Sequence, residues 1–131
     1  MIGIDTNILL RLLLDDDATQ RSRIEKLFNA HARAPGSALV SDIVLAEAVS
    51  TLGSAYRQPK ASILAALNGL LAQPAFAFEN WAAVEQAVLS YASGRAGFSD
   101  GLIVAKNAAA GCAFTATFDR ALRGTGNARV L

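Results

Sequence analysis

The chain has 131 residues, the size of one domain with a substantial core, so we expect a single domain over residues 1–131. Its 53% hydrophobic content excludes a disordered tail, and its formal net charge of +1 does not mark it as a strongly basic nucleic-acid binder. The one cysteine, Cys112, excludes an internal disulfide and a thiolate metal site, and we expect it to be a small buried hydrophobe.

Short apolar strands and helices alternate along the first half of the chain. Ile2–Ile4 predicts a strand, and Thr6–Leu14 predicts a helix because its apolar residues recur at helical spacing. Asp17 followed by Gln20 is typical of a capping box. The elements predicted next are a helix over Ala18–Arg33, a strand over Ala38–Val40, a helix from Ser41 or Asp42 to about Tyr56, and a helix from Pro59 to Pro74.

The second half continues the alternation. The predicted elements are a strand over Phe76–Phe78, a helix capped by Asn80, a break over Gly94–Gly97, a helix from Ser99 or Asp100 to Ala110 closed by Gly111, a strand over Phe114–Phe118 and a final strand over Ala128–Leu131. This order predicts an α/β fold with three α/β/α layers around a central, mostly parallel sheet of four or five strands.

Four acids stand in or at the end of apolar stretches, where we expect a carboxylate to be paired, protonated or bound to a metal. They are Asp5, Glu47, Asp100 and Asp119. Three of them also suit helix caps, but Glu47 lies inside a helix and caps nothing. Because sites in parallel sheets form at the carboxyl ends of the strands, we predict that all four acids converge at one edge of the sheet.

Clustered carboxylates without His or Cys favour the hard cations Mg²⁺ or Mn²⁺, which can promote phosphodiester hydrolysis. Thr6 and Asn7 would support Asp5 or a substrate phosphate by hydrogen bonds, and Arg95 and Arg120 are candidate phosphate contacts. The single His31, expected to be exposed, and the absence of a Gly-x-Ser-x-Gly elbow argue against a Ser-His-Asp triad. No P-loop or dinucleotide fingerprint is present.

The motifs resemble those of the PIN-domain nucleases, especially the VapC-type toxins. They are Asp5-Thr6-Asn7 at the N-terminus, Glu47 in the third helix, Asp100 ahead of Leu102–Ala105, and Thr117-Phe118-Asp119-Arg120 after an apolar strand. The resemblance implies a PIN-like fold, a Mg²⁺- or Mn²⁺-dependent endoribonuclease with the four acids as catalytic metal ligands, and support from Thr6, Asn7 and Thr117. Many members carry a further acid where this chain has Ala121, so the number of metal ions stays open.

The resemblance also implies an RNA substrate, a small cognate antitoxin, a homodimer, and contact with operator DNA only through the antitoxin complex. The N-terminus lacks the features of a signal peptide and no stretch reads as a membrane span, which predicts a cytoplasmic protein with no membrane partner. Two other interpretations remain open: a PIN-like binding module for antitoxin or operator DNA with little catalysis, and a phosphoacceptor domain similar to the receivers of signalling proteins.

Overall fold

A computed structural model describes all 131 residues, which divide into two compact units. Unit 1 is Met1–Glu79 and unit 2 is Asn80–Leu131. Unit 1 contains β1 (Ile2–Gly3), α1 (Thr6–Leu13), α2 (Ala18–His31), β2 (Ala38–Val40), α3 (Asp42–Ser54), α4 (Lys60–Ala72) and β3 (Phe76–Phe78). Unit 2 contains α5 (Trp81–Ser93), α6 (Phe98–Ala109), β4 (Thr115–Thr117), a 3₁₀ turn (Arg120–Leu122) and β5 (Ala128–Val130).

All strand pairs are parallel, which confirms the predicted α/β class. In unit 1 the order is β1-β2-β3, with Ala38 in register with both Ile2 and Phe76. In unit 2, β4 pairs with β5 and Thr115 is in register with Ala128. The five predicted strands are therefore hydrogen-bonded as a three-stranded and a two-stranded set rather than as one continuous set.

Three helices begin where the sequence predicts, because a polar side chain satisfies a free backbone N–H in the first turn. Asp17 accepts from the Gln20 N–H at 2.9 Å, Asn80 accepts from the Ala83 N–H at 3.0 Å, and Ser41 accepts from the Val44 N–H at 3.4 Å. Local sequence is sufficient to place these helix starts.

The start of α6 differs from the prediction. The helix begins at Phe98 with Gly97 as its N-cap, so Asp100 lies in the first turn rather than at the cap. The reason is packing: the Phe98 side chain is only 1% exposed and its ring meets Tyr91 of α5 edge to face at 6.5 Å between centroids. Gly101 of α6 lies against Ala87 of α5 and is buried, so the two helices are in close contact along this turn.

The prediction for Cys112 was wrong, because its side chain is exposed. Cys112 lies in the turn after α6, where its N–H donates to the Asn107 carbonyl and Gly111 adopts a φ of +93°. The turn leaves the thiol at the surface. No helix of the chain is long and apolar enough to cross a membrane.

Candidate active site

Asp5 stands two residues after β1 and caps α1. One oxygen of its carboxylate accepts a hydrogen bond from the Thr6 N–H at 2.7 Å. The residue is exposed, while its neighbour Ile4 is buried in the core. The carboxylate is therefore held at the helix start on an exposed residue, where a ligand can reach it.

Glu47 is joined to this helix start by a side-chain hydrogen bond. The Thr6 hydroxyl donates to Oε1 of Glu47 at 2.6 Å, across 41 positions of sequence. The bond connects α1 with α3, two helices that are in contact and each bury leucines in the core. A hydroxyl that donates to an ionised carboxylate makes a short and comparatively strong bond. Because Thr6 directly follows Asp5, this bond holds the Glu47 side chain near the start of α1, where Asp5 is the N-cap.

Two carboxylates of unit 2 are placed by local structure. Asp119 caps the 3₁₀ turn, with Oδ1 accepting from the Ala121 N–H at 2.9 Å, and its own N–H donates to Oγ1 of Thr117 at 3.0 Å. Within the Thr117-Phe118-Asp119-Arg120 motif, the Thr117 hydroxyl therefore fixes the backbone of Asp119. Asp100 is half-buried in the first turn of α6. One of its carboxylate oxygens would lie 3.7 Å from a Cβ atom added to Gly97, so its side chain turns back towards the N-cap of the helix.

The expected apolar surroundings of the acids are not observed. Asp5, Glu47 and Asp119 are exposed and Asp100 is half-buried. Each acid has apolar neighbours in sequence, but alternation along strands and helices turns those neighbours inward and the acid outward. Leu45 and Ala48 of α3, for example, are each 1% exposed on the two sides of Glu47. The four acids are accessible ligands rather than strained buried charges.

The residues present fit a hard cation by their chemistry, because the candidate ligands are carboxylate oxygens with hydroxyl support. Each unit contributes two of the four acids. Neither unit by itself contains a group of three or more His, Cys, Asp or Glu side chains placed to hold a metal ion. Convergence of all four acids at one site stays a prediction from the sequence.

Arg95 and Arg120, the predicted phosphate contacts, line the same cleft in unit 2 together with Arg123. The cleft has a volume of about 500 Å³. Sequence reasoning missed Arg123 as a member of this group. The available signal was the spacing of Arg120 and Arg123, since residues three apart in a 3₁₀ turn lie on the same side.

Arg11, on α1 of unit 1, is held by neighbouring side chains. It donates to Asp16 at 2.6 Å and to the Tyr56 hydroxyl at 2.7 Å. The hydrogen bond to Tyr56 and the nearby charge of Asp16 raise the pKa of Arg11 above its ordinary value. Asn7, one turn before Arg11, lines a cavity of about 450 Å³ between α1 and α2.

The PIN domain family matches residues 2–127, which covers nearly the whole chain and includes all four acids. The chain belongs to the PIN-domain family. A search of curated proteins finds no match. A solved structure, the sarcin-ricin loop cleaving toxin VapC20 of Mycobacterium tuberculosis, aligns over 99% of this chain and 98% of its own with 21% identity. The two structures superpose with a TM-score of 0.41.

Membership of the PIN-domain family removes the receiver-like interpretation. A receiver would also need an acceptor Asp after the third strand, where this chain has Glu79. Glu79, which follows β3, accepts a hydrogen bond from the Asp42 N–H at 2.8 Å and so stabilises the start of α3. His31 is exposed at the end of α2, as predicted, and Trp81 is 47% exposed.

Proposed function

We propose that this PIN-domain protein is a metal-dependent endoribonuclease that hydrolyses RNA phosphodiester bonds as the toxin of a toxin–antitoxin pair. The observation that carries the proposal is the 2.6 Å bond between Thr6 and Glu47. It joins the N-terminal motif to the acid that no capping role explains, within a chain that the PIN family matches over residues 2–127.

In this proposal Asp5, Glu47, Asp100 and Asp119 are the catalytic ligands of Mg²⁺ or Mn²⁺. Such an ion, when bound, supplies an activated water and stabilises charge on the phosphate. The residues of the chain provide orientation: Thr6 donates to Glu47 and Thr117 accepts from the Asp119 N–H. Asn7, on α1, would donate a hydrogen bond to a substrate phosphate. Arg95 and Arg120 contribute positive charge that attracts and positions RNA phosphates.

The proposed partners follow from the resemblance of the motifs to VapC-type toxins. They are an RNA substrate, a small antitoxin that keeps the enzyme inactive, a second copy in a homodimer, and operator DNA only through the antitoxin complex. We place the protein in the cytoplasm, where its RNA substrates and the antitoxin are made. None of these partners needs a membrane.

An RNA-cleavage assay tests the proposal. Purified wild-type protein is expected to cut RNA with Mg²⁺ or Mn²⁺ and to stop when EDTA is added. Asp5→Asn should lose the activity because a neutral amide is a poor ligand for a hard cation. Asp15→Asn is the matched control, since Asp15 is an exposed acid in the loop after α1. Equal cleavage by wild type and Asp5→Asn, or cleavage that survives EDTA, would refute the proposal.

Calorimetric titration with Mn²⁺ separates the enzyme from a PIN-like binding module with little catalysis. The enzyme should bind Mn²⁺ and lose affinity in Asp5→Asn but not in Asp15→Asn. A protein that binds an antitoxin or operator complex yet takes up no Mn²⁺ would support the binding module instead.

A further inference from the structure

The arginine cleft of unit 2 has the size and lining of a small-ligand site. Its volume of about 500 Å³ falls in the usual range for such sites. It is formed by the end of α5, the loop after it, the 3₁₀ turn and the loop that follows; its polar lining comprises Ser90, Ser93, Arg95, Arg120, Arg123 and Thr125.

The positive charge of the cleft is not neutralised by the protein. Arg95, Arg120 and Arg123 are exposed, no acid lines the cleft, and none of the three guanidinium groups forms an ion pair. In contrast, Arg11 of unit 1 is paired with Asp16. Three like charges around one cleft repel one another, so the arrangement favours an anionic ligand that brings them together.

The core of unit 2 fixes both segments that carry these arginines. Ala96, next to Arg95, is 1% exposed, and Leu122, between the other two arginines, is 5% exposed. Both side chains belong to one buried cluster with Val104 of α6. The cleft is therefore anchored by hydrophobic packing, with the arginine side chains projecting from a fixed base.

Backbone hydrogen bonds stabilise the part of the cleft formed by residues 120–125. The Arg123 N–H donates to the Arg120 carbonyl at 3.2 Å, and the Thr125 N–H donates to the Leu122 carbonyl at 2.9 Å. Gly124 between them has a φ of +84°, which a side chain would disfavour. The turn that presents Arg120 and Arg123 is thus defined by its own bonds, and Asp119 caps its start.

We propose that this cleft is a subsite for one nucleotide of the bound RNA strand, next to the phosphate that is cut. The inference rests on the proposed nuclease function, because Arg120 directly follows the proposed catalytic ligand Asp119. Guanidinium groups bind phosphate oxygens in a bidentate manner, and their planes also stack on bases of single-stranded RNA. A nucleotide brings both a phosphate and a base to these side chains, whereas the carboxylate of an acidic peptide offers no base for a guanidinium plane to stack on.

Binding measured without cleavage tests the subsite. Fluorescence anisotropy would follow a labelled single-stranded RNA of about 12 nucleotides, within the usual range of such sites. Asp100→Asn protein in EDTA serves as the uncut background. In that background Arg123→Gln is expected to weaken binding about tenfold and to reduce the slope of log K against log salt by about 0.7, the loss of one phosphate contact.

Two further variants control for charge and folding. Arg33→Gln removes an exposed arginine outside the cleft and should leave both affinity and salt slope unchanged. Arg123→Lys keeps the charge but loses the bidentate contact, so it should retain the salt slope and lose part of the affinity. If Arg123→Gln binds RNA like Arg33→Gln while its circular dichroism is native, the subsite proposal fails.

The outcomes separate the subsite from the nuclease. Normal metal-dependent cleavage by wild type combined with an unchanged Arg123→Gln affinity would overturn the subsite alone. Weaker RNA binding by Arg123→Gln in a protein that never cleaves RNA would overturn the nuclease and leave the cleft as an RNA site. Binding of a labelled poly-glutamate peptide by a protein that does not bind RNA would show that the cleft serves an acidic protein, which contradicts the proposal.

Discussion

The two units of this PIN-domain protein hold their charged residues in opposite ways. In unit 1 a side-chain bond across 41 positions joins Thr6 to Glu47, and Arg11 is held by Asp16 and Tyr56. In unit 2 the acids are placed by neighbours in sequence, and the three cleft arginines have no acidic partner. The comparison indicates that Glu47 of unit 1 depends on tertiary packing for its orientation, while unit 2 keeps its three cleft arginines available to a ligand.

The largest effect is expected from Leu122→Ala in unit 2. Removing this buried side chain should lower the free energy of unfolding by about 3 kcal/mol, the usual cost of a cavity in a core. It should also weaken RNA binding, because Leu122 anchors the turn with Arg120 and Arg123. Denaturant titration and anisotropy would measure the two effects. Leu131→Ala, 71% exposed, is the control; an equal loss of stability in both variants would contradict the anchoring role.

Glu47→Gln tests one of the two candidate metal ligands of unit 1, the other being Asp5. We expect RNA cleavage to fall about 100-fold, comparable to the loss of a group that acts at the reacting centre. Stability should change by no more than about 0.5 kcal/mol because Glu47 is exposed. Single-turnover cleavage with Mn²⁺ would measure the effect, with Glu85→Gln on the exposed face of α5 as control. Retained cleavage in Glu47→Gln would remove this residue from the site.

Thr6→Val asks whether the long-range bond matters for function. Loss of the hydroxyl should weaken Mn²⁺ binding about tenfold, as is typical when the partner of a metal ligand is removed. Thr6→Ser keeps the donor to Glu47 and should restore the affinity. Calorimetry on both variants would measure the difference, and a Thr6→Ser protein as weak as Thr6→Val would indicate a packing role instead.

The smallest effects are expected at the helix caps, one in each unit. Asp17→Ala and Asn80→Ala should each lower the free energy of unfolding by about 1 kcal/mol. Added salt should reduce the loss for Asp17, which is charged, and not for Asn80. Asn68→Ala, exposed in the interior of α4, should cause no loss. Thermal unfolding at low and high salt would show whether the two caps differ in this way.

Local chemistry explains which features were predictable. The starts of α2 and α5 follow from Asp17 and Asn80, because a cap acts on residues two or three positions away. The cap roles of Asp5 and Asp119 were also accessible, as alternatives to ligand roles. The start of α6 could not be predicted from local sequence, because the burial of Phe98 against α5 determines where this helix begins.

The amino-acid sequence by itself determined the order of helices and parallel strands, the family, and which four acids are candidate metal ligands. Periodicity, caps and motifs each depend on residues that are close together in the sequence. Tertiary structure alone decided that these acids face solvent, that Thr6 reaches Glu47, and that Arg123 joins Arg95 and Arg120 around one cleft. The physical reason is that side-chain direction and contacts between distant segments depend on how the elements pack, which no local pattern specifies.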